Sequence, residues 1–379
     1  MRIKTLGIIG CAKHSLGSFL IVFLFLFDNN AYAFGNTLDG KTKFAGTPSG
    51  IIRDIEVVKE STFIASENGV FHLLGGRSES IDFNQTKING TVSDLSLGLN
   101  GNLWIVEYGV GVFSYDLESG VATQQFTNEK WPKYAWKIQE LEGSLVVSLI
   151  QGVIVADLRT GKIQGWADEI GVGKVYKAFS ISAQNNVTAY VSSEEHLLKI
   201  DVAGRTVDRL PVKTVFPELA SINTVSISKE FMFVGGREGL YIHNFKTETK
   251  SFFPFEKTSK SAYAMSDVYL SSNNDVYVAA GGLFELKGDV LKEPNFMAPL
   301  LSSEEIKSIT RIRETQSKEL LLASSQLGLI SLSSTHQSIN LVHAGDTVFR
   351  SNIQEFGINE HSDFIVKTRK GNLVLDKET

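Results

Sequence analysis

Short apolar runs recur along the chain, cut by glycine-bearing turns at nearly even intervals. The clearest unit runs from Val92 to Phe126. Val92–Leu97 alternates apolar and polar positions, as a half-buried strand does. Asn100-Gly101 is a hairpin turn pair, Leu103–Val106 a second strand, and Gly109–Gly111 a second turn. Val112–Tyr115 then reads as a third strand, Ser119-Gly120 as a turn and Ala122–Phe126 as a fourth strand. The order repeats elsewhere: Phe63-Ile64-Ala65 leads to Gly69, Leu145-Val146-Val147 to Gly152, Phe233-Val234 to Gly239, and Leu321-Leu322-Ala323 to Gly328. The turn positions before the third strand are Gly69, Gly111, Gly152, His196, Gly239, Gly282, Gly328 and Gly371, spaced 41 to 46 residues apart.

Four short strands in a period near 43 residues predict an all-β fold, a β-propeller of four-stranded blades with eight repeats. A sandwich needs no such even spacing, and the coils of a β-helix are shorter. One blade alone cannot bury both faces of its sheet, and stacking blades around an axis does. The last repeat stops after its third strand, while Gly40–Phe44, upstream of the first repeat, can supply a fourth. Closure by that strand predicts an eight-bladed ring. The alternative is a seven-bladed ring plus one extra repeat, which would open a second ring.

The N-terminus has a different pattern. Arg2, Lys4 and Lys13 precede the unbroken apolar run Phe19–Phe27, and Ala31-Tyr32-Ala33 follows as a small-x-small motif. This is the pattern of a secretory signal peptide over 1–33, with the propeller domain over 34–379 and export to the periplasm. The apolar run is too short to span a bilayer as a helix, and an uncleaved anchor is the alternative. Ile8-Ile9-Gly10-Cys11 has a lipobox-like order but lies before the apolar run instead of at its end. The only cysteine, Cys11, falls inside this segment, so neither a disulfide framework nor a thiolate zinc cluster is expected in the body. No second long apolar stretch predicts a transmembrane helix in the mature chain. The formal charge is −5, and it becomes −7 once the three basic residues and one acidic residue of 1–33 are removed. That balance argues against nucleic acid as a partner.

No catalytic constellation emerges. His72, His196, His243, His336, His343 and His361 occupy different phases of the repeat and form no HxxxH or HExxH motif, so no metal or cofactor is expected. Gly235-Gly236 and Gly281-Gly282 are turns without a following Lys-Ser/Thr. Glu194-Glu195 and Glu304-Glu305 lie in different repeats, and nothing sets their separation. The loops at one end of the blades are more informative. The turns between second and third strands and the connections between blades open on the same side. Candidate ligand or partner contacts there are Tyr108, Trp131, Tyr134, Trp136, His196, Arg237, Glu238, Tyr263 and Arg350. For Trp131 and Trp136, packing between blades is an equally open reading. Trp104 and Phe113 fall on strand positions and are read as core.

Gly101-Asn102-Leu103-Trp104-Ile105, the Gly109–Phe113 turn and strand, Tyr115-Asp116 and Ser119-Gly120 together resemble the two-component regulator propeller repeat. Val106-Glu107 stands where that pattern has Gly-Thr, and Arg237-Glu238-Gly239-Leu240-Tyr241 matches its turn and third strand. The resemblance implies a periplasmic sensory propeller that works with a membrane histidine kinase or diguanylate cyclase. The expected function is a non-catalytic ligand-sensing or protein-interaction module that feeds a two-component or cyclic-di-GMP system. Its expected partners are a small-molecule, glycan or protein ligand and a membrane-bound signalling protein. The alternative is a propeller-type carbohydrate lyase or hydrolase.

Overall fold

In the computed structural model, the described residues are 32–34, 43–45, 51–74, 77–81, 88, 90–127, 135–149, 152–164, 178–256, 264–294, 308–325, 328–332, 339–344, 353–358, 364–368 and 371–375. They form seven four-stranded antiparallel sheets, each made of four strands in chain order, and an eighth sheet of three. The innermost strands are Ile52–Val58, Val92–Leu97, Ala135–Leu141, Ala178–Ala183, Thr224–Ile227, Asp267–Leu270 and Ile309–Glu314, which open blades 1 to 7 in turn. Each lies against the innermost strand of the next blade, and Ile309–Glu314 of blade 7 lies against Ile52–Val58 of blade 1. The ring therefore closes at seven blades.

Apolar packing between sheets holds the ring. Trp104, Val106 and Val112 of blade 2 pack with Ile138, Leu145 and Val147 of blade 3. At the closing seam Ile52, Ile55, Ile64 and Phe71 pack with Leu321, Ala323 and Leu329. Each fully buried large aliphatic or aromatic side chain contributes about 1.5–3 kcal/mol, so this seam leaves no place for a further blade. The expected eight-bladed closure is thus corrected to the seven-bladed alternative. The eighth sheet, Ile353–Ile358, Phe364–Thr368 and Gly371–Leu375, stands outside the ring. Nor does the N-terminal strand fill a vacancy in a last blade. Blade 7 has its own outer strand, Ile339–Ala344, and Lys43–Ala45 runs beside Arg77–Ser80, the outer strand of blade 1.

Two local devices recur. The turn into the third strand needs a left-handed backbone, and Gly69, Gly111, Gly152, Gly239 and Gly328 all have positive φ. At Gly239 a Cβ would also lie 2.3 Å from the Phe253 carbonyl oxygen, so only glycine fits. At the opposite end of the blades, the side chain that closes the third strand caps the next turn. Asp116 accepts the backbone N–H groups of Glu118 and Ser119, Asp157 those of Arg159 and Thr160, and Asn244 those of Lys246 and Thr247. These bonds hold the carboxyls of Asp116 and Asp157 below the usual aspartate range.

The innermost strands carry a third device. In blades 1, 2, 3, 4 and 7 the register slips by one residue near the start, at Arg53, Ser93, Trp136, Phe179 and Thr310. The eighth sheet has the same slip at Gln354. Such a bulge leaves one residue out of the ladder and re-aims it.

A chain truncated before Ile353 is expected to keep a single cooperative unfolding transition, with its midpoint within a few degrees of the full-length chain. Opening an eight-bladed ring would instead expose both closing faces and abolish cooperativity. Thermal unfolding followed by circular dichroism measures the difference.

Candidate functional site

The end of the ring that carries the turns into the third strands is called here the upper face. The structure sorts the candidate residues of that face into two groups. Tyr108 follows the second strand of blade 2, and Trp136 is the bulged residue that opens blade 3. Their rings lie 5.9 Å apart, centre to centre, tilted by 55°. Trp136 keeps 38% of its surface exposed. Aromatic packing of this kind is favourable, and it joins blade 2 to blade 3 while part of the indole stays exposed. Backbone and side-chain contacts fix the neighbourhood. Tyr108 N–H donates to the Thr91 carbonyl at 2.8 Å, Gly90 N–H donates to the Glu107 carboxylate at 2.8 Å, and Arg53 pairs with Glu67.

His196, Arg237 and Glu238 form the second group, around the connector from blade 4 to blade 5. That connector begins with a single helical turn, Val212–Val215, here α1, and buries Val212, Phe216, Leu219 and Ile222. His196 opens the third strand of blade 4 opposite Pro211, its backbone fixed on both sides by the Ser193 hydroxyl. The Glu238 carboxylate accepts the Ala220 N–H at 3.3 Å, and Arg237 is exposed beside it. These residues edge an apolar cap over blades 4 and 5. Trp131, Tyr134, Tyr263 and Arg350 lie outside the described residues.

The strongest electrostatic feature was not among the candidates. Charged side chains from blades 1, 2, 3, 6 and 7 meet at the axis. Lys137 of blade 3 pairs with Asp94 of blade 2 and, at 3.1 Å, with Asp54 of blade 1. Arg311 of blade 7 reaches Asp54 at 3.2 Å. Arg313 bridges Asp267 of blade 6 at 2.8 Å and Asp54 at 3.5 Å. The same carboxylates accept backbone N–H groups of the next blade: Asp54 from Leu95, Asp94 from Ile138 and Asp267 from Ile312. In blade 4 the Ser182 hydroxyl does this for Ile227. Two glutamates tie blades in the reverse direction. Glu140 accepts Leu99 N–H and the Trp104 indole N–H of blade 2, and Glu314 accepts the Ser272 backbone N–H of blade 6.

Burial alone would push the Asp54 carboxyl up, but Lys137, a hydrogen bond from Asp94, Arg313 and Arg311 outweigh it and hold it below the usual range. Asp94 moves the other way, raised well above the ordinary value by burial and by the adjoining Asp54 charge, against the pull of Lys137. The two carboxyls are coupled through Lys137, which bridges them. Glu56, half-buried beside them, is raised by burial to about 7. Removing Lys137 would leave the buried Asp94 carboxyl without its cation, a loss of about 3–5 kcal/mol by analogy with broken buried pairs, while Asp54 keeps Arg311 and Arg313. Asp54 and Asp94 are 1% and 2% exposed and fully engaged. The arrangement is a brace across the axis and not a catalytic pair, since a substrate has no access to either carboxyl. Among the described residues, no group of three or more His, Cys, Asp or Glu is placed to hold a metal ion.

No family model matches the chain, and no curated protein matches it in sequence. Solved structures do match in fold. One is the extracellular domain described as belonging to the hybrid two component system BT4673 of B. thetaiotaomicron, with a TM-score of 0.60 at 13% identity over 88% of this chain and 44% of that one. The corresponding domain of BT3049 from the same organism gives 0.58 at 13% identity, over 91% and 48%. Virginiamycin B lyase from Staphylococcus aureus gives 0.51 at 8% identity, over 75% and 93%. The chain thus spans about half the length of the two signalling-system domains. At such identities the likeness shows the fold, a β-propeller, and leaves the site to be argued from its own residues.

A pH dependence follows for Glu56. Burial pushes its folded pKa up to about 7, above the ordinary glutamate value of 4.5. Between these values the native state holds a proton that the unfolded chain releases, so this group lowers stability as pH rises through the window. Glu56→Gln is expected to be more stable than wild type by about 1–2 kcal/mol near pH 8, and equal to it near pH 4, in urea unfolding.

Proposed function

We propose that the chain is a non-catalytic, extracytoplasmic recognition propeller of the two-component regulator type, which binds its ligand at the upper face around Tyr108 and Trp136. The observation that carries this reading is the aromatic pair at the start of blade 3, where Trp136 sits on a bulge, meets Tyr108 of blade 2 and still keeps 38% of its surface exposed. Large rings at a blade mouth supply contact area at low entropy cost, and suit the face of a sugar ring, a small molecule or a protein side chain. The likeness in fold to extracellular domains of signalling systems supports the sensory part of the reading. So do the Leu103-Trp104-Ile105 strand, the Gly111 turn and Asp116, which resemble the two-component regulator propeller repeat. In this reading the leader over 1–33 exports the chain to the periplasm. Output passes through a membrane-bound kinase or cyclase. Among the described residues no helix is long and apolar enough to cross a membrane.

A thermal-shift screen of oligosaccharides, small metabolites and peptides tests the site, with wild type and Trp136→Ala side by side and a turnover assay on every hit. A stabilising ligand is expected for wild type, with affinity at least tenfold weaker in Trp136→Ala and no product formed. Equal affinity in the variant would move the site elsewhere. Turnover by wild type would favour the lyase or hydrolase reading.

A further inference from the structure

Among the described residues, the exposed large apolar side chains are Ile51, Leu97, Leu99, Val110, Val121 and Trp136, and four of these six belong to blade 2. Leu97, Leu99 and Val121 stand on the lower face, at the end of the ring opposite the Tyr108–Trp136 pair. Leu97 ends the first strand of the blade, Leu99 lies in the turn that follows, and Val121 leads into the outer strand. They keep 38%, 49% and 53% of their surface exposed. The register sets them in one row along the lower edge of the sheet. Leu97 pairs with Leu103, Leu103 with Tyr115, and Tyr115 with Ala122, the residue after Val121.

The other blades show what these positions require. Ser272 of blade 6 lies two residues after its first strand, as Leu99 does in blade 2. Its N–H donates to Glu314 of blade 7 at 2.8 Å, just as the Leu99 N–H donates to Glu140 of blade 3 at 3.1 Å. The bond belongs to the backbone and asks nothing of the side chain, and the Ser272 hydroxyl adds a second bond to the same carboxylate. The Val121 carbonyl accepts the Asp116 N–H at 2.9 Å. The residues opposite the corresponding Asp157, Asp201 and Asn244 are Lys162, Thr206 and Thr249. The fold therefore accepts polar side chains at both places, and apolar ones left in water contribute nothing to it. Single exposed aliphatics are ordinary, whereas a row gathered on one blade marks an interaction surface. The turn that carries Leu99 is also held stiffly. Glu140 accepts the Trp104 indole N–H at 2.6 Å, Gly98 N–H donates to the Asn102 carbonyl at 2.7 Å, and a Cβ at Gly98 would collide with the Glu140 carboxylate and the Trp104 indole. A turn fixed in this way presents its leucine to a partner at little cost in entropy.

The charge beside the row has one sign. Blade 2 adds Asp116 and Glu118 to this face and no cation, and Glu142 follows in the adjoining turn of blade 3; all three are exposed. The cations of the flanking turns, Lys59, Arg159 and Lys162, share those turns with Glu60 and Asp157. A second copy of the chain seated here through the same surface would set carboxylates against carboxylates, whereas lysine or arginine beside apolar side chains complements the surface. We propose that the lower face of blade 2 is a docking surface for a basic, apolar segment of a protein partner. The segment seats its apolar side chains on Leu97, Leu99 and Val121 and its cations against Asp116, Glu118 and Glu142. This surface lies on the other face from Tyr108 and Trp136 and does not rest on the ligand-binding reading of that pair.

The experiment pans random peptides displayed on phage over the intact, immobilised chain, after depletion on the double variant Leu99→Ser with Val121→Thr. These substitutions install the residues that blades 6 and 4 carry at the same places. Should the double variant fail to fold, Glu118→Lys, on an exposed turn, takes its place in the depletion. Enriched sequences are made as fluorescent peptides and titrated by polarisation. Peptides that combine Leu, Ile, Phe or Trp with Lys or Arg are expected to emerge. Their affinity is expected to be about tenfold weaker in the double variant and in Glu118→Lys, to fall in high salt, and to be unchanged in Trp136→Ala. Failure to enrich any peptide overturns the proposal, as do enriched peptides without basic residues and affinities indifferent to both lower-face variants. Binding lost only in Trp136→Ala overturns it by placing the contact on the upper face. In sedimentation velocity, wild type is expected to remain monomeric, and a wild-type dimer that the double variant dissociates overturns the proposal in favour of a second copy. The small-ligand screen and this panning read opposite faces, so either reading fails without the other.

Discussion

The inner edge of each sheet is the constraint around which this protein is organised. Every blade begins with a strand at the ring axis, and that strand has a neighbour in the ladder on one side only. Its free N–H groups face the centre, where no further strand can pair with them. The chain meets this need with side chains from the preceding blade: Asp54 for Leu95, Asp94 for Ile138, Ser182 for Ile227 and Asp267 for Ile312. Carboxylates in that position then require cations, and Lys137, Arg311 and Arg313 arrive from strands farther round the ring. A backbone requirement thereby becomes a charge network, and the network fixes which blades must face one another.

The charge is unevenly spread. Blades 1, 2, 3, 6 and 7 supply ionisable groups to the axis, whereas the innermost strands of blades 4 and 5 carry Ser180, Ser182 and Ser226. The upper face divides along similar lines. Blades 4 and 5 lie under the Val212–Ile222 connector, and the open aromatic pair stands over blades 2 and 3. The open aromatic pair and much of the axial charge therefore share blades 2 and 3, in a ring whose blades repeat one four-stranded plan.

Much of this was legible from residue order. The strands and the glycine turns follow from local geometry, because a turn with positive φ selects glycine whatever surrounds it, and the predicted turn residues Gly69, Gly111, Gly152, His196, Gly239 and Gly328 each stand at the first residue of a third strand. Trp104 and Phe113 are buried as their strand positions implied. The number of blades in the ring was not legible in the same way. It depends on whether Ile52 and Ile55 meet blade 7 or another sheet, and period alone is silent on such a distant contact. The axial charges were missed because a charged residue within an alternating strand reads as its solvent side. A clue existed in the repeat phase: Asp54-Ile55, Asp94-Leu95, Lys137-Ile138, Asp267-Val268 and Arg311-Ile312 each place a charge before an aliphatic residue in the opening strand. The grouping of His196 with Glu238 depends on a connector whose apolar residues, Val212, Phe216 and Leu219, follow helical spacing inside an otherwise β pattern.

The seam between blades 7 and 1 also bears on how the chain reaches this structure. Within each sheet, strands pair with their neighbours in sequence, and such hairpins form quickly because little chain must be closed. Arg311 and Asp54 are 257 residues apart, and their seam can assemble only after the intervening sheets have taken up their curvature. Loop closure over that distance is repaid only when the whole circle is in place, so the slow event in folding is the meeting of the first and last blades. The reverse path starts at the same seam: a ring built from local hairpins comes apart first where its two ends were joined.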